Sequence, residues 1–394
     1  MELEIHSMES LSTSLLAEWE SLARSQTGPA NPFLVPAWAI HWCRVWSTPQ
    51  DSGLIAMLDK GRLVGAMPVH RQVVTLAGVP FARRLLPVGS GRGSLSLELP
   101  QVLCAVGHER RVTRRLVEEL LARGRPSGCD WAEITIPAAH GWFEPEWAYT
   151  APRPAFYHLL QSRPACVLLL SPTWEETQAG LGKNIKESIR RSRNRVAKHA
   201  ADMQLIEYGR DGVVLDVDAV DRFLTLHRQR AHMASGVVHP DNYSAPADFS
   251  FMRHLLPELA RAGDASILEL NLRGRPIASQ LVLHAPGTVY LHSSGLDEAF
   301  ASLGPVLHLQ VEAIRRAITR GAAWVNFSPG ITVSKMRWGV STAPYNDFAF
   351  GVTGEGRTER FRVFAAAKAA KVVSSSVKQT SRNKAPAVVE PSRA

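Results

Sequence analysis

The chain has 394 residues, 45% of them hydrophobic, and carries 45 Lys and Arg against 36 Asp and Glu for a formal net charge of +9. That length exceeds one ordinary core, so two domains with appendages are expected. No apolar run is long enough to cross a bilayer as a helix, and Cys43, Cys104, Cys129 and Cys166 lie too far apart for a zinc knuckle or a disulfide framework, which leaves buried thiols.

The basic balance favours anionic partners without naming one. The first residues, Met1-Glu2-Leu3-Glu4-Ile5-His6, are acidic and lack a secretory pattern, so a cytoplasmic protein is expected. Residues 11–24 place Leu11, Leu15, Leu16, Trp19 and Leu22 at helical spacing, and Gly28-Pro29 stops them. A second helix after Pro36 carries Trp38, Trp42, Val45 and Trp46. Such a face can stack a sugar or a base, but a core face accounts for it more simply.

From Gly53 the pattern turns to strands, 54–58 and 63–70, around Asp59-Lys60-Gly61-Arg62. The run Gly89-Ser90-Gly91-Arg92-Gly93-Ser94 is too rich in glycine for a fixed strand and lacks the Lys-Ser or Lys-Thr of a phosphate-binding loop. It is read as a mobile loop beside a substrate cleft. A helix with Leu116, Leu120 and Leu121 ends at Gly124, and 131–136 is a strand closed by Pro137. Residues 137–165, dense in Pro, Trp and Tyr, read as an irregular connection.

Residues 166–170 form a strand, and Ser171-Pro172-Thr173-Trp174-Glu175-Glu176 has the capping residue and early acids of a helix start. The helix that follows carries Lys183, Lys186, Arg190, Arg191, Arg193, Arg195 and Lys198 beside an apolar stripe of Leu181, Ile185, Ile189 and Val196. It is either a solvated face or the seat of an anionic ligand such as a substrate phosphate or an acidic glycan, with Arg190 and Arg193 as candidate contacts. No nucleic-acid-binding motif accompanies the charge. Two further helices, 216–235 and 246–262, flank a loop at 237–243 that is placed to reach the cleft of the second half.

Residues 265–338 carry the most information. Strands 267–272, 277–284 and 288–294 are separated by Arg273-Gly274-Arg275-Pro276 and Ala285-Pro286-Gly287, and should lie antiparallel. After Ser302-Leu303-Gly304-Pro305 comes a helix with Leu307, Val311, Ile314 and Ile318 on one face. Pro305 suits its first turn, Gly321 ends it, and 322–327 reads as a buried strand parallel to the one before the helix. A strand, a glycine turn and a helix start are either an ordinary connection or an anion site sized for a pyrophosphate, because first-turn amides lack internal partners. After Gly356 one helix, 358–370, precedes a basic tail expected to be disordered.

Gly61-Arg62 and Gly274-Arg275 sit in matching hairpins, and each hairpin is followed by a helix ending at glycine and a strand closed by proline. The predicted fold is therefore α/β (α+β), with duplicated units that are each a mixed sheet flanked by helices. The proposed limits are 1–165, 166–370 and a tail at 371–394.

The run Tyr290-Leu291-His292-Ser293-Ser294-Gly295-Leu296-Asp297, the turn Ser302-Leu303-Gly304-Pro305, the segment Asn326-Phe327-Ser328-Pro329-Gly330 and the ending Lys335-Met336-Arg337-Trp338 resemble the CelD/BcsL-like branch of the GNAT acyltransferases, related to FemAB-like proteins. The resemblance implies tandem GNAT-like domains, the first degenerate. It also implies an acetyl-CoA or other acyl-CoA co-substrate and no metal. The pyrophosphate would lie on amides around Ser302, Leu303, Gly304, Val306 and Leu307, and the pantetheine along His292, Ser293 and Ser294.

Candidate bases are Asp297, Glu269 and His292, while Lys335 and Trp338 join Arg190 and Arg193 on the acceptor side. The family often has Tyr before the Lys of its closing motif, whereas Ser334 stands here. The implied activity is N-acyl transfer to an amine or hydroxyl of a small molecule or a cell-envelope or exopolysaccharide precursor. FemAB-like aminoacyl transfer and a non-catalytic role in polysaccharide assembly stay open, as does the oligomeric state. Only the second half is expected to bind acyl-CoA, since the first interposes residues 89–94 and 102–106 between its strand and helix.

Overall fold

A computed structural model describes residues 1–76, 78–91, 97–122, 128–140, 155–234 and 239–352. The first half contains β1 (Glu2–Ser7), α1 (Thr13–Arg24), α2 (Pro36–Trp46), β2 (Ser52–Asp59), β3 (Arg62–Leu76), β4 (Val79–Pro87), β5 (Leu103–Cys104), α3 (Glu109–Ala122) and β6 (Trp131–Pro137). A long strand, β7 (Ala155–Leu169), leads to α4 (Trp174–Gly180), α5 (Lys183–Ala197), β8 (Met203–Tyr208), α6 (Val217–Ala231) and α7 (Pro246–Arg261). The chain continues through β9 (Ala265–Leu272), β10 (Arg275–Ala285), β11 (Thr288–Leu296), α8 (Pro305–Thr319), β12 (Trp324–Pro329), α9 (Val333–Met336) and β13 (Ser341–Val352).

Two hairpin turns frame both halves. Lys60 and Gly61 have φ of 52° and 76°, and Arg273 and Gly274 have 53° and 77°. Positive φ at both central residues gives the turn whose twist matches a tight antiparallel pair, so the same device recurs where the sequence repeat placed it.

All strands among the described residues join one 13-stranded sheet in the order β1-β2-β3-β4-β6-β13-β7-β12-β11-β10-β9-β8, with β5 beside β3. From either edge inward the pattern is the same. Four antiparallel strands are followed by one parallel pair, β4 with β6 or β11 with β12, and then by an antiparallel strand. The duplicated α/β architecture is thus present in strand order as well as in sequence.

The closing strands are exchanged. β7 follows β6 in the chain but pairs with β12, and β13 follows β12 but pairs with β6, while β7 and β13 pair with each other at the centre. The expectation of an irregular connection over 137–165 is corrected here. Residues 155–165 belong to β7, whose alternation is obscured by Pro164 and Arg163, and the proposed limit at 165 falls inside that strand. Residues 141–154 and the helix and tail expected beyond 353 lie outside the described residues.

Trp19, Trp38 and Trp42 are buried, and the Trp46 and Phe251 rings lie 4.8 Å apart, so the tryptophan-rich helix is a core face that packs α2 on α7 across the halves. Cys43, Cys129 and Cys166 are buried free thiols and Cys104 is half-buried. Among the described residues no helix is long and apolar enough to cross a membrane.

At the seam Asp347 of β13 accepts from Thr135 Oγ1 at 2.6 Å, Gln161 Nε2 at 2.6 Å and Arg163 at 2.8 Å. Removing one member of a largely buried ion pair leaves the other charge uncompensated. Asp347→Ala should therefore lower unfolding stability by about 3 kcal/mol, measured by urea denaturation. A loss below about 1 kcal/mol, the range of exposed pairs, would show that the seam does not depend on it.

Candidate functional site

The sheet opens in one place in the second half. β11 and β12 pair only over Thr288, Val289 and Tyr290 against Trp324, Val325 and Asn326. Beyond them β11 runs on to Leu296 alongside β10, and β12 runs to Pro329 alongside β7. Each diverging strand carries an extra residue. Leu281 faces Ser293 but Val282 faces Leu291, which leaves His292 as the bulge on β11. Asn326 faces Val167 but Pro329 faces Ala165, and within that bulge Ser328 has φ of 68° with its amide held by Asn326 Oδ1 at 2.9 Å. Bulges bend and twist the strands that bear them, so the two strands splay into a slot.

The slot ends at the start of α8. Asp297 caps a short 3-10 helix, Glu298–Leu303, and Gly304 turns the chain with φ of 69° into Pro305. A helix start leaves its first-turn amides without internal partners and carries the positive end of the helix dipole. α5 packs against this turn: Ser192 Oγ donates to Gly304 O at 2.8 Å and Arg195 donates to Ser302 O at 2.8 Å.

A polar cluster lines the slot at His292. Its Nε2 lies 3.3 Å from Tyr243 Oη, which is 2.9 Å from Ser293 Oγ. Its Nδ1 lies 3.4 Å from Glu98 Oε2, within reach of charge attraction but without hydrogen-bond alignment. Tyr290 donates to the same Glu98 oxygen, and the Glu98 carbonyl accepts from Arg163 at 2.7 Å. Burial alone would push the Glu98 carboxyl up, yet His292, the Tyr290 hydroxyl and the Lys335 charge together hold it below the usual range. Burial raises the Tyr243 phenol and lowers His227 to about 4, which keeps both neutral near pH 7.

The first half has the same opening but fills it. β4 and β6 pair only at Arg84 and Leu85 against Trp131 and Ala132, and the chain after β4 returns so that Gln101 bridges to Thr135 of β6. Leu97 and Leu99 are buried in that return, while Glu98 between them points across to Tyr290 and His292. Residues 92–96 of the expected mobile loop lie outside the described residues.

This topology defines a mixed α/β protein of tandem GNAT-like units. Residues 183–336, in the second half, match the family model described as an acetyltransferase (GNAT) domain. No curated protein matches the chain in sequence. The crystal structure of FemX superposes with a TM-score of 0.60 over 88% of this chain and 97% of its own, at 10% identity. A conserved protein of unknown function from Bacteroides thetaiotaomicron VPI-5482 gives 0.49 over 86% and 97% at 12% identity. A tandem GNAT protein from the clavulanic acid biosynthesis pathway, solved without AcCoA, gives 0.45 over 90% and 100% at 12% identity. At 10% identity the likeness to FemX is one of fold.

The structure brings together some of the expected site residues and separates others. His292, Ser293 and Ser294 lie on the diverging part of β11, although Gln280 and His227 already occupy the Ser293 and Ser294 carbonyls at 3.0 and 3.2 Å. Ser302, Leu303, Gly304, Val306 and Leu307 form the turn into α8. Glu269 is buried, with Arg222 on one oxygen at 3.0 Å and Asn271 and Tyr208 on the other at 3.0 and 3.4 Å, which makes it a structural ion pair and not a free base. Asp297 is engaged by the Ala299 amide and the Arg275 guanidinium.

Trp338 is 2% exposed and stacks on Phe327, so it is a core residue rather than an acceptor contact. Lys335 Nζ is held by Ser328 Oγ at 3.0 Å and Pro329 O at 2.7 Å, bracing the bulged end of β12. Arg190 is paired with Glu187 on the exposed face of α5, where Arg193 is also exposed, whereas Arg195 reaches the α8 turn.

Glu98 and Tyr243 escape a search of the second half's motifs. Tyr243 lies at the end of the loop expected to reach the cleft, of which residues 239–243 are described, while Glu98 offers only the signal of one acid between two buried leucines. Gly295 is required by space: a Cβ there would sit 2.5 Å from Leu226 Cβ and 2.7 Å from the Leu226 carbonyl carbon. Gly295→Ala should push α6 off β11 and destabilise the fold by about 1–3 kcal/mol, measured by denaturant unfolding. An unchanged midpoint would mean that α6 yields freely.

Proposed function

We propose that the protein is an acyl-CoA-dependent N-acyltransferase whose second half, residues 166–370, binds the co-substrate while the first, residues 1–165, shapes the acceptor side. The observation that carries this is the open slot between β11 and β12, set beside the start of α8, in a chain whose equivalent first-half slot is filled by residues 97–101. A pantetheine arm lies along β11 in place of the missing strand partner, satisfying backbone groups that a slot filled by apolar side chains would leave unpaired. The pyrophosphate rests on the first-turn amides of α8, with Arg195 of α5 beside them.

His292, at the bulge where the strands part, is the base that the site offers: Asp297 and Glu269 are engaged elsewhere, whereas His292 lines the slot. The acceptor is an amine or hydroxyl of a small molecule or an envelope-polysaccharide precursor, and the exposed cations of α5, including Arg190 and Arg193, suit an anionic one.

Calorimetry with acetyl-CoA should give one molecule per chain, and a stoichiometry of two would overturn the assignment of a filled first-half slot. Gly304→Glu should abolish binding by crowding Ser192, 3.4 Å from its Cβ position, and by placing a carboxylate at the anion site. Arg195→Glu should weaken binding about tenfold, an effect that added salt reproduces in the unaltered protein. A thermal-shift screen with acyl-CoAs, free CoA and aminoacyl-tRNA separates acyl from aminoacyl transfer. Stabilisation by aminoacyl-tRNA alone would sink the present reading.

A further inference from the structure

Among the described residues Glu98 is the carboxylate that the first half brings to His292, and its placement is specific. It lies in the return that fills the first half's own opening, anchored on both sides by buried Leu97 and Leu99 and through its carbonyl by Arg163. Its side chain crosses to β11, takes the Tyr290 hydroxyl and faces His292 Nδ1 at 3.4 Å. Among the described residues no hydrogen-bond partner meets that nitrogen. Phe33, also from the first half, closes the opposite side with ring centroids 5.6 Å from His292 and 5.3 Å from Tyr290, which limits water around the pair.

We propose that Glu98 is a positioning residue from the first half that orients His292 and sets which of its ring nitrogens carries the proton, so that acyl transfer is completed only where the two halves meet. The inference rests on the acyltransferase reading. A carboxylate beside Nδ1 keeps the proton there and leaves Nε2 as the acceptor nitrogen, and it stabilises the imidazolium once formed. In the transfer the acceptor nitrogen bonds to the thioester carbonyl carbon, the C–S bond breaks, and CoA leaves as thiolate. The proton from the acceptor nitrogen passes to His292 Nε2, directly or through the Tyr243 hydroxyl, and from there to the thiolate.

Among the described residues the groups facing this imidazole are few. Glu98 supplies the negative charge, and Lys335 lies beyond it on α9, its ammonium partly desolvated and its pKa lowered by burial. Arg163 of β7 is bonded to the Glu98 carbonyl. From α6 come His227, held neutral by burial, and Arg230, which donates to Ser294 Oγ and lies 3.0 Å from His239. Tyr243 and Tyr290 are neutral.

The test uses the full chain labelled with [15N]histidine. In Glu98→Gln the 15N shifts of His292, assigned through His292→Ala, should show the ring proton moving from Nδ1 toward Nε2, as expected when the carboxylate beside Nδ1 is removed. Acetyl-CoA turnover, read with water as acceptor, should fall about tenfold in kcat with acetyl-CoA affinity unchanged by calorimetry. Glu98→Asp, which keeps the charge, should restore most of the Nδ1-protonated form.

A His292 tautomer unmoved by Glu98→Gln would overturn the pairing, and a moved tautomer with an unmoved kcat would overturn its part in the transfer. Failure of the unaltered protein to bind acetyl-CoA would instead count against the acyltransferase reading, since the tautomer does not depend on it.

Discussion

Antiparallel pairing between β7 and β13, continuous through twelve residue pairs with one irregularity, is the constraint on which the rest of the structure depends. Each of these strands is the last of one half and is hydrogen-bonded into the sheet of the other, so the halves cannot swing as independent bodies without breaking a ladder at the centre of the sheet. Asp347, Arg163, Thr135 and Gln161 add a charge-assisted lattice on that seam. Because the frame is fixed there, the return after β4 keeps a constant position relative to β11, and Glu98 can serve a slot that its own half does not form.

The slot exists because the sheet gives up hydrogen bonds locally. Two bulges, at His292 and at Ser328, direct neighbouring strands apart after three paired residues. A left-handed serine is an uncommon conformation, and the Asn326 side chain and the Lys335 ammonium hold it from either side. In the first half the comparable gap is closed by leucines and a bridge at Gln101. One duplicated scaffold thus carries a filled gap and an open one, and the difference lies in the segment joining strand to helix rather than in the sheet itself.

Much of this was legible in the chain. The hairpin with Arg273 and Gly274, the helix opened by Pro305 and ended at Gly321, and the parallel strand after it all lie where turn chemistry and periodicity put them, because each is decided within a dozen residues. The recurrence of Gly61-Arg62 announced the duplication. Strands β1, β4, β8 and β13 were not anticipated: β1 and β8 are edge strands whose burial depends on one distant neighbour, and β13 is defined by partners from both halves.

The candidate site was legible in part. His292, Ser293 and the turn at Gly304 were singled out through local motifs, and the loop that ends at Tyr243 was expected to reach the cleft, though Tyr243 itself was not singled out. Glu98 was not, because its meaning arises only from a contact across 192 residues of chain, to Tyr290. Trp338 and Glu269 misled for the opposite reason: residue types able to serve chemistry are here consumed by a stacking contact and an ion pair.

The exchange of closing strands has a consequence for how the protein comes into being. During synthesis the first half emerges with the edge of β6 bare, since its partner lies at residues 341–352, close to the end of the described chain. The ladder that completes it closes a loop of about two hundred residues, a contact order associated with slow folding and exposed intermediates. An exposed strand edge in such an intermediate is a template for the wrong partner, including β13 of a neighbouring nascent chain. Assembly of this fold is thus gated by its last strand, and a polysome crowded with these chains is where reciprocal pairing between two molecules competes most directly with pairing within one.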